Sequence, residues 1–119
     1  MSQTTPQAIH LCHELLGWLI PLLDKFPRSG RFSLGDRLES ALLDVLERLV
    51  EAAYTRANLK GQALSSANLR LEVARQLWRL CFEFKLISTK RYRYGAELMD
   101  DLGRQIGGWL RSSSAGRAR

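Results

Sequence analysis

Apolar residues recur every three or four positions through four stretches of this 119-residue chain, and no stretch shows the strict alternation of a half-buried strand. A chain so patterned folds into helices that each bury one stripe. Ala8, Cys12, Leu15, Leu19, Leu22, Leu23 and Phe26 share one face of a first helix over about residues 7–25, with His10, His13, Glu14 and Asp24 opposite. Pro21 displaces the carbonyl of Gly17 and should bend this helix on its polar side, and Pro27 stops it. A second helix starts with Ser33 as N-cap and Asp36 at N3, carries the stripe Leu38, Leu42, Val45, Leu49 and Ala52, and ends near Ala57. NLKGQALSS reads as the next connection, with Ser65 and Ser66 as caps of a third helix over about residues 66–87. Its core stripe reads as Leu69, Val73, Leu77, Leu80, Cys81, Phe84 and Ile87. Ser88 caps a fourth helix with the stripe Leu98, Met99, Leu102, Ile106, Trp109 and Leu110, ending near Ser112. Four amphipathic helices joined by short turns predict an all-α, antiparallel up-down-up-down four-helix bundle. It is a single domain over residues 1–119, with disordered ends expected at about 1–5 and 113–119, where the tail SSSAGRAR is small, polar and basic.

The apolar surface exceeds what one such bundle hides. Leu43, Val50 and Tyr54 form a second stripe on the second helix, and Leu71, Trp78 and Phe82 widen the apolar arc of the third. These six residues are the expected interface of a homo-oligomer. Gly95, Gly103 and Gly107 each cost the fourth helix up to about 1 kcal/mol, which implies close helix approach.

Several function classes are disfavoured. The longest nearly apolar run, LLGWLIPLL, is far short of a membrane span, and MSQTTPQ has no signal-peptide pattern, so a cytoplasmic protein is expected. Cys12 and Cys81 fit that compartment as buried thiols. In FPRSGRFSLGDR, residues 26–37, Gly30 and Gly35 have the spacing of a phosphate loop, but Asp36 stands where the lysine belongs and a helix precedes it. The stretch therefore reads as a corner. His10, His13 and Glu14 share one side of the first helix at metal-ligand spacing, but Cys12 points away and the chain has no third histidine, so no metal or cofactor is expected. Nor do the histidines and cysteines fall on a common face as a nucleophile and base must, so the chain is expected not to be an enzyme.

Charge points to a polyanionic partner. The net charge of +6 lies wholly in the second half: residues 1–60 carry seven Lys/Arg and seven Asp/Glu, and residues 61–119 carry eleven and five. Arg75 and Arg79, one turn apart and directed away from the core, can present two guanidinium forks to phosphate, or else pair with Glu72 and Glu83. Lys90, Arg91 and Arg93 interleave with Tyr92 and Tyr94 in KRYRY, which joins charge to stacking surface; the alternative is a basic helix start with a tyrosine packed in the core. Arg28 and Arg31 flank the corner.

FPRSGRFSLGDRLESAL, the closing ELMDDLGRQIGGWL with its GR-x-x-G-x-W pattern from Gly103 to Trp109, and the Arg75/Arg79 pair give the chain a likeness over about residues 8–112. It resembles the four-helix-bundle family that contains the accessory variability determinant (Avd) of diversity-generating retroelements. That resemblance implies a homopentameric barrel that binds RNA, DNA and the element's reverse transcriptase without catalysing a reaction. A related branch, encoded in intervening sequences of large-subunit ribosomal RNA genes, tends to carry an acidic residue after its FP corner. RSGR lacks it.

Overall fold

The structure is a computed structural model that describes residues 6–117, with side chains described through Ser113. Residues 1–5 and 118–119, where parts of the expected disordered ends fall, lie outside the described residues. Four long helices and no strand make up the described chain. Helix α1 (Gln7–Leu23) buries Ala8, Cys12, Leu15, Leu19, Leu22 and Leu23, the face set by the aliphatic period, and Pro21 is exposed in its last turn.

The corner differs from expectation. A short helix α2 (Arg28–Gly30) starts directly after Pro27 and leads through a π-turn (Arg31–Gly35) into α3 (Asp36–Tyr54), so Gly30 does not interrupt the helical path. Pro27, with φ −53° and ψ 149°, turns the chain and lacks the N–H that a helix start leaves unpaired. Ser33 is therefore no N-cap; its hydroxyl donates back to the Ser29 carbonyl at 2.9 Å. Gly30 serves space instead: a Cβ there would lie 2.9 Å from a Leu86 methyl. Helix α3 buries Leu38, Leu42, Val45, Leu49 and Ala52, as the period requires.

Only Thr55 and Arg56 separate α3 from α4 (Ala57–Glu83), which begins nine residues ahead of the expected position. Ser65 and Ser66 are inside it, not capping it. Its buried face is Gly61, Leu64, Ala67, Leu71, Ala74, Trp78 and Cys81, an unbroken three-four repeat built largely from small residues. Leu71 and Trp78, expected at an oligomer interface, are thus in the subunit's own core, each 1% exposed. Phe82 is partly buried and stacked on Tyr92, with ring centroids 4.6 Å apart. Conversely Leu69, Val73, Leu80 and Phe84, expected in the core, face outward, Leu69 and Phe84 being 64% and 66% exposed. Lys60 reaches back to donate to the Ala52 carbonyl at 2.6 Å, closing the end of α3 with a cation.

Helix α4 ends in a Schellman turn: the Leu86 N–H donates to the Cys81 carbonyl at 2.9 Å and the Lys85 N–H to the Phe82 carbonyl at 3.0 Å. Lys85 takes the left-handed position, with φ 63°. Ser88 then caps α5 (Thr89–Arg117) as expected, its Oγ accepting from the Arg91 N–H at 3.2 Å. Backbone helix continues past Ser112 to Arg117. Met99, Leu102 and Ile106 are fully buried from this side. Two of the α5 glycines sit at close approaches: a Cβ on Gly95 would lie 2.6 Å from the Trp78 ring, and one on Gly103 would lie 2.5 Å from Arg75. Gly107 does not, since there a Cβ would meet only the tip of Arg111 at 3.5 Å.

Candidate nucleic-acid interface

The seven basic residues singled out in the sequence divide by what already neutralises them. Arg31 folds across Gly35 to meet three carboxylates, Glu39 at 2.8 Å, Asp36 at 3.3 Å and Asp24 at 3.4 Å. The hydrogen bond to Glu39, with the charge of all three acids, holds the guanidinium pKa above its ordinary value. Arg31 ties the corner together, and its charge is already met by three carboxylates. Arg28 is exposed, its guanidinium 5.6 Å from the centre of the Phe32 ring.

Arg75 is also engaged. It crosses Gly103 to pair with Asp100 at 3.0 Å, while donating to the Met99 carbonyl at 3.4 Å, and so ties α4 to α5. Only Glu72, at 3.9 Å, belongs to its own helix. Arg79 is exposed and pairs with Glu83 at 3.1 Å, the intrahelical alternative. The pair does not present two open forks, because each guanidinium already faces a carboxylate.

Lys90, Arg91 and Arg93 stand apart. All three are exposed on the first turns of α5, and none makes an ion pair among the described residues. With Trp18, Ser88, Thr89, Tyr94 and Glu97 they line an open groove of about 890 Å³, three cations against one carboxylate. The two tyrosines of KRYRY part company. Tyr92 turns inward, stacks on Phe82, and its carbonyl accepts the Trp78 Nε1–H at 3.0 Å. Tyr94 turns outward, 49% exposed, its ring centre 4.9 Å from that of Trp18 at 60°. Trp18 escaped the sequence reading. It lies one position off the core stripe of α1, and no local signal says that this flank meets the start of α5.

The remaining chemistry is quiet. Burial pushes the Cys12 thiol up to about 12 and the Cys81 thiol up to about 11, so neither is a ready thiolate. His10 and His13 are exposed on α1, and among the described residues no three His, Cys, Asp or Glu side chains gather as metal ligands. No described helix is long and apolar enough to cross a membrane.

No curated protein and no solved structure matches the chain. The model of one family does, the bAvd-like family, over residues 7–113. That span takes in every residue from the first turn of α1 to Ser113, including the FPR corner, the α5 groove and the GR-x-x-G-x-W segment. The chain belongs to the bAvd-like family.

Proposed function

We propose that this chain is a non-catalytic accessory protein of a diversity-generating retroelement, which binds RNA and DNA and assists the element's reverse transcriptase. The observation that carries nucleic-acid binding is the α5 groove, where Lys90, Arg91 and Arg93 face solvent without a carboxylate partner among the described residues. Family membership supports the reverse-transcriptase association, and the buried thiols and outward histidines support a non-enzymatic role. Short connections and the approach of Gly30 to Leu86 fit an antiparallel up-down-up-down order. Fluorescence anisotropy of labelled oligonucleotides across a salt series tests the binding. Replacing Lys90, Arg91 and Arg93 together by alanine should weaken binding and flatten the log–log salt slope by about 0.9 for each duplex phosphate no longer neutralised. An unmodified protein that binds neither RNA nor DNA at low salt, or a triple variant that binds as the parent does, refutes this reading.

A second reading has its own observation. Leu69, Val73 and Leu80 of α4, with Phe84 just past its end, form an outward apolar stripe, and Leu43, Val50 and Tyr54 form another on α3. Two unlike apolar stripes suit head-to-tail association, which closes into a ring when the rotation permits, and the family resemblance implies five subunits for such a ring. A structural oligomer of the ribosomal-RNA intervening-sequence type, docking a protein partner, would use the same stripes. Leu80→Lys with Phe84→Lys should lower the mass found by sedimentation while leaving helix content unchanged. An unaltered mass, or a monomeric parent at micromolar concentration, refutes the assignment of that stripe to self-association.

A further inference from the structure

The α5 groove combines its charges with an aromatic face, and that combination discriminates among nucleic acids. A duplex keeps its base faces stacked inside and offers a protein phosphates, sugars and base edges. A single strand offers base faces, which stack on aromatic side chains with little regard to sequence. Tyr94 suits the second. The residue is half exposed, and the partly buried Trp18, 4.9 Å away and inclined at 60°, packs beside it. Trp18 is itself set by a tilted contact with Trp78, 5.9 Å between ring centres, and Trp78 is fixed in the core. The exposed ring is therefore the outer end of an aromatic relay anchored in the bundle, and a base stacking on it has little side-chain entropy left to freeze. The groove's volume of about 890 Å³ is within the range of clefts that enclose a small ligand, about 300–1,000 Å³, and so admits a splayed-out nucleotide. Lys90, Arg91 and Arg93 flank the same space and can meet the phosphates on either side of that nucleotide.

We infer that this groove is a binding site for single-stranded nucleic acid, with a base stacked on Tyr94 and the adjoining phosphates held by Lys90, Arg91 and Arg93. The inference rests on the nucleic-acid reading above and adds the strandedness and the stacking residue. Tyr92, although adjacent in sequence, takes no part because its ring is stacked on Phe82.

Anisotropy titrations of the full chain with labelled oligo(dT) and oligo(rU), and with a mixed-sequence DNA duplex, test it with Tyr94→Leu, Tyr94→Phe and the triple alanine variant of Lys90, Arg91 and Arg93. Tyr94→Leu should weaken single-strand binding roughly 5- to 150-fold, the range of losing one base–aromatic stack, while duplex binding and the salt slope stay as in the parent. Tyr94→Phe keeps the ring and should restore single-strand binding, which separates stacking from any loosening of the fold at residue 94. Single-strand binding by Tyr94→Leu equal to the parent's, with the triple alanine variant impaired, overturns stacking and leaves an electrostatic groove with the nucleic-acid reading intact. Equal weakening on single strands and duplex also overturns it. Absence of binding to every probe removes the nucleic-acid reading itself, and this inference with it.

Discussion

Gly95→Ala tests the packing on which both the fold and the aromatic relay depend. In an ordinary helix interior, alanine in place of glycine stabilises by up to about 1 kcal/mol. At position 95 the added carbon would lie 2.6 Å from Cζ2, 2.7 Å from Cε2 and 2.8 Å from Nε1 of Trp78. Carbon contacts are most favourable near 3.5–4.0 Å, so the indole has to retreat by on the order of 1 Å. It has nowhere to go: its Nε1–H is bonded to the Tyr92 carbonyl at 3.0 Å, Tyr92 is stacked beside it, and Trp18 meets it edge-on. Overpacking of this kind costs about 1–3 kcal/mol, and an indole N–H left unpaired adds about 1–3. After the propensity gain is subtracted, the net loss is about 3 kcal/mol, or roughly 12 °C in Tm for a chain of this length. Urea titrations followed by circular dichroism, at one protein concentration because association shifts the midpoint, should show a lower midpoint with an unchanged slope. Gly17→Ala is the control, since no atom lies within 4 Å of its added carbon, and it should stabilise by up to about 1 kcal/mol. In a Trp78→Phe background the shorter ring frees the space, and Gly95→Ala should cost less than in the parent. A Gly95→Ala protein as stable as the parent refutes the argument that Trp78 holds α5 at this distance.

Lys85 occupies the left-handed position of the α4 Schellman turn with a Cβ that this conformation disfavours. Lys85→Gly should therefore raise the urea midpoint by the equivalent of about 1 kcal/mol, and a lower midpoint contradicts the turn assignment. The thiols predict an alkaline limb: burial raises Cys12 to about 12 and Cys81 to about 11, so the unfolded chain loses these protons first. Their contribution is complete below about pH 8.5, the usual thiol value, and declines above it by about 1.4 kcal/mol per pH unit for each thiol until the folded value is reached. Cys12→Ala should make the midpoint less sensitive to pH above about 9, and an unchanged alkaline limb refutes the burial assignment.

Helix faces were legible where one stripe of large aliphatic residues was longer and denser than any other. In α1 and α3 the stripes Leu15, Leu19, Leu22 and Leu38, Leu42, Val45, Leu49 outweigh the alternatives, the Leu43, Val50 and Tyr54 stripe of α3 among them, and they are the buried faces. Helix α4 offers two. Leu69, Val73, Leu80 and Phe84 are uniformly large, whereas the buried face interleaves Leu64, Leu71 and Trp78 with Gly61, Ala67 and Ala74, and period alone favours the uniformly bulky set. The bundle takes the other because small residues let the backbones approach, and because Trp78 fits against Gly95 on a helix that starts eleven residues later. That pairing of the largest side chain with the smallest is a property of two helices together, and a reading of each helix alone cannot contain it. The same blindness hid the first turns of α4: NLKGQALSS has the composition of a turn, yet Gly61, Ala63 and Leu64 are buried in register with Leu71.

The candidate site shows the corresponding limit for charge. Spacing along a helix says which cations share a face, but availability to phosphate depends on the carboxylates opposite, and for Arg75 and Arg31 these come from elsewhere in the chain. Arg75 meets Asp100 from another helix, and Arg31 gathers Asp24, Asp36 and Glu39 across the corner. For such a residue, contact with phosphate exchanges one anion for another and leaves the displaced carboxylate beside the newcomer, so little is gained. Lys90, Arg91 and Arg93 face the opposite situation. They occupy the first turns of a 29-residue helix, where the backbone dipoles already present positive charge and a further cation is unfavourable by about 0.3–1 kcal/mol. A phosphate held there relieves that repulsion as it binds. The three cations that weaken the start of α5 in the free protein are thus the ones for which an anion offers the greatest return, and a nucleic acid bound at the groove should stabilise the fold it binds.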